Sequence, residues 1–473
     1  MGITGFYSWI TTNYPDSFVI LNKPIFFNHI YIDLNYLLHM CVYNSPNIKV
    51  TLKKIETMIL DICSNHHAID TINICCDGSA PLAKLFLQRV RRLQEARTMI
   101  YNKDTDLKNS SLNFTPGSVF MESIDIYYKD LKIKLESTLN VKVNINNTEH
   151  GEAEIKIKNL INKHLDQNPT SSHLLVTNDA DVLLIISATK IYKSLYVLLK
   201  NNIILSLDRL IDIHTQKYGK GLNPNYDFSF LNMFNGNDYL PKLRFSTIDK
   251  LWESYQVKLR KHKGLILGRD CKTGLFQINS DFLIDILKSL CGKISPVVMK
   301  KTKLYEYKYN IYDNYVNGII WCFHMYFYGK CDYNSYMYKS NTSPDPMLLM
   351  LHFMNYNINT SFNLVPTKPI CNKLCSILLL PEIAKQLIHE QYYAFVDSHS
   401  YLYQEERCKE CQTFYETMSN LNKKYKESEH IDTAIRKQIT NNQKAYESHK
   451  DKHTKLTCEM IEKIRDEYNS TFI

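Results

Sequence analysis

Short apolar runs that stop at an acid recur through the first half of the chain: HIYIDL reaching Asp33, TINICCDG reaching Asp77, and HLLVTNDADVLLI reaching Asp179 and Asp181. Continuous apolar runs without polar alternation are the pattern of strands buried on both faces, and open α/β sheets place their sites at the carboxyl ends of such strands. Amphipathic stretches at helical spacing lie between them. The pattern predicts an α/β fold, with a central, mostly parallel twisted sheet flanked by helices. YVLLKNNIILSL predicts a hairpin through Asn201 and Asn202. From about Tyr305 the texture changes to long aromatic and aliphatic helical patterns, and from Gln404 to Tyr468 the chain is rich in Lys and Glu without Pro or Gly. A mainly α-helical C-terminal region ending in a solvated charged tail is expected. Three parts follow: residues 1–260, 261–400 and 401–473.

Composition narrows the class. With 44% hydrophobic and 22% charged residues among 473, the chain reads as an ordinary globular protein with core enough for one large or several smaller domains. The formal charge of +9, from 57 basic against 48 acidic residues, is modest, so an anionic partner has to be met by a local cluster. The longest apolar stretch, GIIWCFHMYFYG, falls short of the roughly 20 residues of a membrane helix, and no membrane partner is expected. Scattered cysteines and no signal peptide point to a reduced, cytoplasmic setting. Cys371 and Cys375 with Cys408 and Cys411 have the makings of a four-thiolate zinc site, but the helical apolar stripe of Leu374, Ile377 and Leu378 favours buried thiols instead. The abundance of Asn, Ile, Lys and Tyr suggests an AT-rich genome, such as that of a protist or a large DNA virus.

The candidate chemistry lies in the acids Asp33, Asp77, Glu152, Glu154, Asp179, Asp181 and Asp238. Singly, each reads as a solvated loop or helix-start residue. Should they converge, carboxylates about 5 Å apart repel by roughly 3 kcal/mol at an effective dielectric of about 20, so the group calls for cations. Hard oxygen ligands suit Mg²⁺, with Mn²⁺ as a substitute, and two such ions can drive phosphodiester hydrolysis. Beside Asp77, the segment DGSAPLAKLFLQRVRRLQEA places Lys84, Gln88, Arg91 and Arg92 at i, i+4, i+7 and i+8, on one face of a helix, with Arg89 pointing away. That face suits a terminal phosphate. A solvated basic helix is the plainer reading of the segment alone.

These segments, taken in order, carry a family resemblance. MGITGFYSWITTNYP, YIDLNYLLH, DGSAPLAKLFLQRVRRLQEA, NFTPGSVFM, GEAEIKI, NDADVLLI and FNGNDYLP resemble the successive motifs of the XRN-type 5′→3′ exoribonucleases, and YVNGIIWCFHMYFYGKC and TKPICNKLCSILLLPEIAKQL are similar to that family's second block. The resemblance covers about Met1 to Tyr393. It implies a nuclease core like that of PIN and flap nucleases over 1–260 and the second block over 261–400, and the charged helical tail over 401–473 lies beyond it. It gives all seven acids the role of holding two Mg²⁺ ions in catalysis, and gives Lys84, Gln88, Arg91 and Arg92 the 5′-monophosphate of single-stranded RNA. His39 would stack on the terminal base, and Trp321 or Tyr333 would bracket the bases, although periodicity alone reads His39 and Trp321 as core positions. The implied activity is stepwise release of nucleoside 5′-monophosphates in mRNA decay.

The pattern is not complete. DYNSYMY replaces the family's tryptophan pair, and Arg92 and Thr115 lie closer together than is usual, which implies a shortened helical tower. A DNA flap nuclease is the nearest alternative, but the glycine-free YLPKLRFSTIDKLWESY after Asp238 lacks the glycine-rich duplex grip of such enzymes. A catalytically inactive RNA-binding scaffold is a third reading, opposed by the full set of acids.

Overall fold

The computed structural model describes residues 3, 5–20, 25–43, 45–102, 106–199, 203–270, 274–291, 302–340, 343–359, 362, 364–427, 433–450, 452–453 and 456–472. They divide into two units. The first comprises Met1–Leu38, Lys53–Lys84 and Tyr128–Pro369, the second His39–Leu52, Leu85–Tyr127 and Ile370–Ile473.

The first unit is built on a seven-stranded sheet. Its strands are β1 (Phe18–Ile20), β2 (Ile25–Asp33), β3 (His66–Cys75), β4 (Lys142–Asn146), β5 (His173–Val176), β6 (Leu195–Leu198) and β7 (Ile203–Ser206), in the spatial order β1-β7-β6-β5-β2-β3-β4. From β6 to β4 every neighbour is parallel, and β7 and β1 add an antiparallel edge. The expected α/β class with a mostly parallel sheet is what the chain adopts, followed by a helical C-terminal region. The β6–β7 pairing agrees with the expected hairpin, while Asn201 and Asn202 lie outside the described residues. Central strands are buried on both faces: Ile30, Tyr31 and Ile32 of β2 are inaccessible, and all of β5 is buried. Helices Ala153–Gln167, Val182–Ser187, Pro224–Asn232 and Thr302–Tyr328 extend that core.

Register aligns the strand ends that matter. Asp33 pairs with Cys75 on β3, and Ile32 with Val176 on β5, so the residues following β3 and β5 emerge beside Asp33. Toward the opposite end of the strands lies a buried polar layer. The Tyr31 hydroxyl bridges His164 Nδ1 at 2.6 Å and His173 Nδ1 at 2.9 Å, and His29 stacks on His164 with ring centroids 3.8 Å apart. Burial, with His29 and His164 beside it, pushes His173 down to about 3. The unfolded imidazole titrates near 6.5, so His173 contributes stability that is present above that pH and is lost as pH falls toward the folded value. The stability difference between wild type and His173→Gln should therefore shrink by about 2 kcal/mol between about pH 7.5 and about pH 5. Paired denaturant titrations at the two pH values measure it, and a pH-independent difference would refute the assignment.

The second unit is helical. Its largest elements are most of helix Leu82–Tyr101, the start of Val119–Leu139, and helices Asn372–Leu379, Lys409–Glu427, Thr433–Lys450 and Cys458–Phe472. The buried Arg89 guanidinium donates to the carbonyls of Leu378 and Leu402. Arg97 pairs with Glu405 and lies 3.9 Å over the Tyr415 ring. The expected division at 260 and 400 therefore differs from the compact units, which draw together segments distant in sequence. The solvated-tail expectation also needs correction: Ile461, Ile464 and Tyr468 recur at helical spacing as a buried stripe of helix Cys458–Phe472, and Tyr446 is buried on helix Thr433–Lys450. The cysteines sort differently as well. Cys375 is buried as a packing thiol and Cys371 caps helix Asn372–Leu379 through its sulfur. Cys408 and Cys411 instead face His449 and His453.

Candidate active site

Strand ends bring the acids of the first unit together. Asp33, the last residue of β2, is held by two bonds: Oδ1 accepts from the Tyr36 amide at 3.2 Å and Oδ2 from the Thr177 hydroxyl at 3.2 Å. Asp77, two residues beyond β3, donates its amide to Asn35 Oδ1 at 2.9 Å, while its Oδ1 accepts from the amide of Ala153 at 2.9 Å. Ala153 opens helix Ala153–Gln167, so a carboxylate rests on a helix N-terminus, where the orphan amides and the dipole favour it. Glu152 and Glu154 flank that contact. Lys156 Nζ reaches back to the Cys76 carbonyl at 2.7 Å and ties the helix to the strand end.

The remaining acids come from two turns. After β5, Asp179 Oδ1 accepts the Asp181 amide at 3.0 Å, and Asp181 Oδ1 accepts the Ile3 amide at 2.8 Å, which links the site to the N-terminal segment. Asp238 meets Lys84 Nζ at 3.1 Å, and the same ammonium pairs with Glu152. The Tyr239 hydroxyl donates to the other Glu152 oxygen.

Electrostatics shows the convergence. Burial raises Asp33 to about 7, and Asp77 and Asp179 act in the same direction. Glu154 is pushed well up, by burial and then by Asp33, Asp77 and Asp179. Asp181 rises to about 7 through burial, Asp179 and Asp238. Burial works against the Lys84 ammonium, but Asp238, Glu154 and Asp77 outweigh it and raise its pKa. Six acids and Lys84 thus influence one another directly, and Glu152 joins them through its ion pair with Lys84. Lys84, with Lys156 acting on Asp77 alone among these acids, does not offset burial and the mutual repulsion, which is why Asp33, Glu154 and Asp181 are all raised. The donor set is hard oxygen, which fits divalent magnesium or manganese rather than a soft metal. Among the described residues, the group whose ligand atoms all lie within 4.8 Å of one another is a different one, Cys408, Cys411, His449 and His453.

The substrate-binding candidates sort unevenly. Lys84 lies among the acids, whereas Gln88, Arg91, Arg92 and His39 belong to the second unit. His39 is exposed, with its ring 5.2 Å from Phe114, so the core reading of this histidine does not hold. Trp321 requires correction as a base-stacking residue. It is 1% exposed and its ring packs against Tyr239 at 5.2 Å and Tyr336 at 4.6 Å, so it borders the cavity next to Tyr333 as part of the core rather than as an open platform for a base. Its aliphatic and aromatic neighbours on helix Thr302–Tyr328 made that burial the plainer expectation. Tyr333 is half-buried and lines a cavity of about 200 Å³. Sequence reading passed over Asn35, Thr177 and Tyr239 as site residues, although Asn35 and Tyr239 stand within the motifs YIDLNYLLH and FNGNDYLP.

Residues 1–201 match the family model described as the XRN 5'-3' exonuclease N-terminus. The N-terminal region is thus similar to that of the XRN family. The chain is 29% identical over 211 residues to 5'-3' exoribonuclease 1 of Schizosaccharomyces pombe, covering 39% of this chain and 16% of that protein. It is 27% identical over 255 residues to a protein of Acanthamoeba polyphaga mimivirus named as a 5'-3' exonuclease, covering 47% of this chain and 40% of the relative. The alignments thus span well under two thirds of either relative. Among solved structures, the catalytic core of Rad2 in complex with DNA aligns over 85% of this chain and 98% of that one, at 11% identity and a TM-score of 0.34. The family match ends before Asp238 and before the second block.

Proposed function

We propose that this XRN-type chain is a metal-dependent 5′→3′ exoribonuclease that removes nucleoside 5′-monophosphates stepwise from single-stranded RNA bearing a 5′-monophosphate. The observation that carries the reading is the gathering of seven carboxylates from five chain segments around one lysine. Such a site is costly to fold unless cations or substrate repay the repulsion.

Asp33, Asp77, Glu152, Glu154, Asp179, Asp181 and Asp238 would hold two Mg²⁺ ions, for which Mn²⁺ can substitute. When bound, the ions supply Lewis-acid activation of water and neutralise charge developing at the phosphodiester. The protein's own part is positional. Lys84 and the Tyr239 hydroxyl fix Glu152, the Ala153 amide fixes Asp77, and Thr177 and Tyr36 fix Asp33. Along helix Leu82–Tyr101, Lys84, Gln88, Arg91 and Arg92 recur on one face and would bind the 5′-phosphate, the arginines supplying forked donors. His39 and Tyr333 would stack on bases, each stacked base contributing about 1 to 3 kcal/mol. Trp321 is withdrawn from this set. Cytoplasmic mRNA decay is the setting that suits the activity, and no described helix is long and apolar enough to cross a membrane.

Three RNAs of one sequence, bearing 5′-monophosphate, 5′-hydroxyl or 5′-triphosphate, test the pocket. Mononucleotide release with Mg²⁺ should be at least about tenfold faster from the monophosphate, the loss expected for about 1.4 kcal/mol or more of charge-assisted bonding. Equal rates on all three refute it. A matched DNA strand degraded as fast as the RNA would point instead to a flap-type nuclease.

A further inference from the structure

We propose that Cys408, Cys411, His449 and His453 form a structural zinc site in the second unit, separate in chemistry from the oxygen-rich acids of the first. Their four ligand atoms all lie within 4.8 Å of one another. Cys408 Sγ is 3.2 Å from His449 Nε2, and Cys411 Sγ is 3.4 Å from His453 Nε2. A tetrahedral zinc with Zn–S near 2.3 Å and Zn–N near 2.0 Å has S···N edges of about 3.5 Å, close to these separations. No carboxylate belongs to the set, and two sulfur with two imidazole donors suit a borderline-soft cation such as Zn²⁺ rather than Mg²⁺.

Local structure explains how the chain makes this group. Cys408 and Cys411 flank the first turn of helix Lys409–Glu427, and a C-x-x-C spacing there turns both thiols to one side. His449 lies in the last turn of helix Thr433–Lys450, and His453 follows in a turn in which its amide donates to the Lys450 carbonyl at 3.0 Å. The two helices run antiparallel, with Asn442 Nδ2 donating to the Phe414 carbonyl at 2.9 Å and the Tyr415 and Tyr446 hydroxyls 2.7 Å apart. The start of one helix therefore meets the end of the other. Cys411 is inaccessible and His449 is 9% exposed, so two of the four donors are buried polar groups at a site of metal-ligand composition. The Glu410 carboxylate lies 3.1 Å from His449 Nδ1, where an outer acceptor orients a metal-bound imidazole through its free nitrogen. Four protein ligands leave no open position. The ion holds the base of a helical hairpin that has few apolar residues of its own, closing a long loop with a single clip.

Metal content of the full chain, purified under reducing conditions and dialysed against Mg²⁺, tests the assignment. Wild type should retain one zinc per chain and Cys408→Ser, Cys411→Ser none. Cobalt exchanged into wild type should give intense tetrahedral d–d bands with thiolate-to-cobalt charge transfer, which no carboxylate site can produce. A zinc-selective chelator should lower the melting temperature of wild type by several degrees with Mg²⁺ held constant. Should the double variant fail to fold, His453→Cys serves: it should still hold one metal, with the cobalt charge-transfer intensity raised by about half. Wild type lacking zinc and taking up cobalt without thiolate bands would overturn the site, as would a Cys408–Cys411 disulfide as its settled state. Because every readout is metal content, spectrum or melting, failure of the nuclease reading leaves this result intact.

Discussion

The Asp179→Asn, Asp181→Asn variant should fold, hold 5′-phosphorylated RNA and release almost no mononucleotide, its rate falling by at least about 10³-fold. That factor corresponds to about 4 kcal/mol of lost transition-state stabilisation, within what an ordered divalent ion supplies. Asparagine keeps the local scaffold, because Asp181 Oδ1 accepts the Ile3 amide and Asp179 Oδ1 accepts the Asp181 amide, and an amide oxygen can do both. Two charges leave a site where burial and neighbouring acids already disfavour ionisation of Asp181. In metal-free buffer the variant should therefore melt higher than wild type, and added Mg²⁺ should raise its melting temperature less. Rate, RNA retention and melting together separate loss of chemistry from loss of fold. Undiminished turnover would remove these acids from the mechanism.

Gly78→Ala is expected to damage both stability and rate without touching a charged group. A Cβ at Gly78 would lie 2.3 Å from the Glu149 carbonyl oxygen and 3.1 Å from the His150 Cα, backbone atoms that cannot swing aside as a side chain can. Two backbone bonds clamp the segments there: the Gly78 amide to the Gly151 carbonyl at 2.8 Å, and the Gly151 amide to the Ser79 carbonyl at 2.9 Å. This clamp sets Asp77 against the start of helix Ala153–Gln167, with Glu152 and Glu154 on either side of the contact. Overpacking should cost about 1 to 3 kcal/mol, seen as a melting temperature lower by several degrees. Moving Asp77 by about 1 Å relative to the two glutamates should lower kcat/KM by about 10²-fold. Alanine that leaves both quantities at wild-type values would mean that the approach of these two segments does not set the site.

Much of the first unit was legible because its signals are local. A strand buried on both faces has to be apolar throughout, so HIYIDL, TINICCDG and HLLVTNDADVLLI announced β2, β3 and β5, and the acids closing them announced the carboxyl edge of the sheet. Lys84 was legible as a cation beside Asp77, but not as the partner of Glu152 and Asp238, since an ion pair across long sequence separations leaves no periodic trace. Trp321 was read on the resemblance as a base platform, although its aromatic run carried the simpler message of burial.

The sequence by itself determined the sheet's class, the positions of the acids and the helical spacing of Lys84, Gln88, Arg91 and Arg92, because each depends on neighbours within a few residues. Only the tertiary structure decided which distant groups meet. Register set Asp33 beside the ends of β3 and β5, the Gly78 contact brought Asp77 to Ala153, and an antiparallel helix pair turned Cys408 and Cys411 toward His449 and His453 rather than toward Cys371 and Cys375. Pairings of this kind arise when separate apolar faces are buried together, and that choice is made by the whole chain at once.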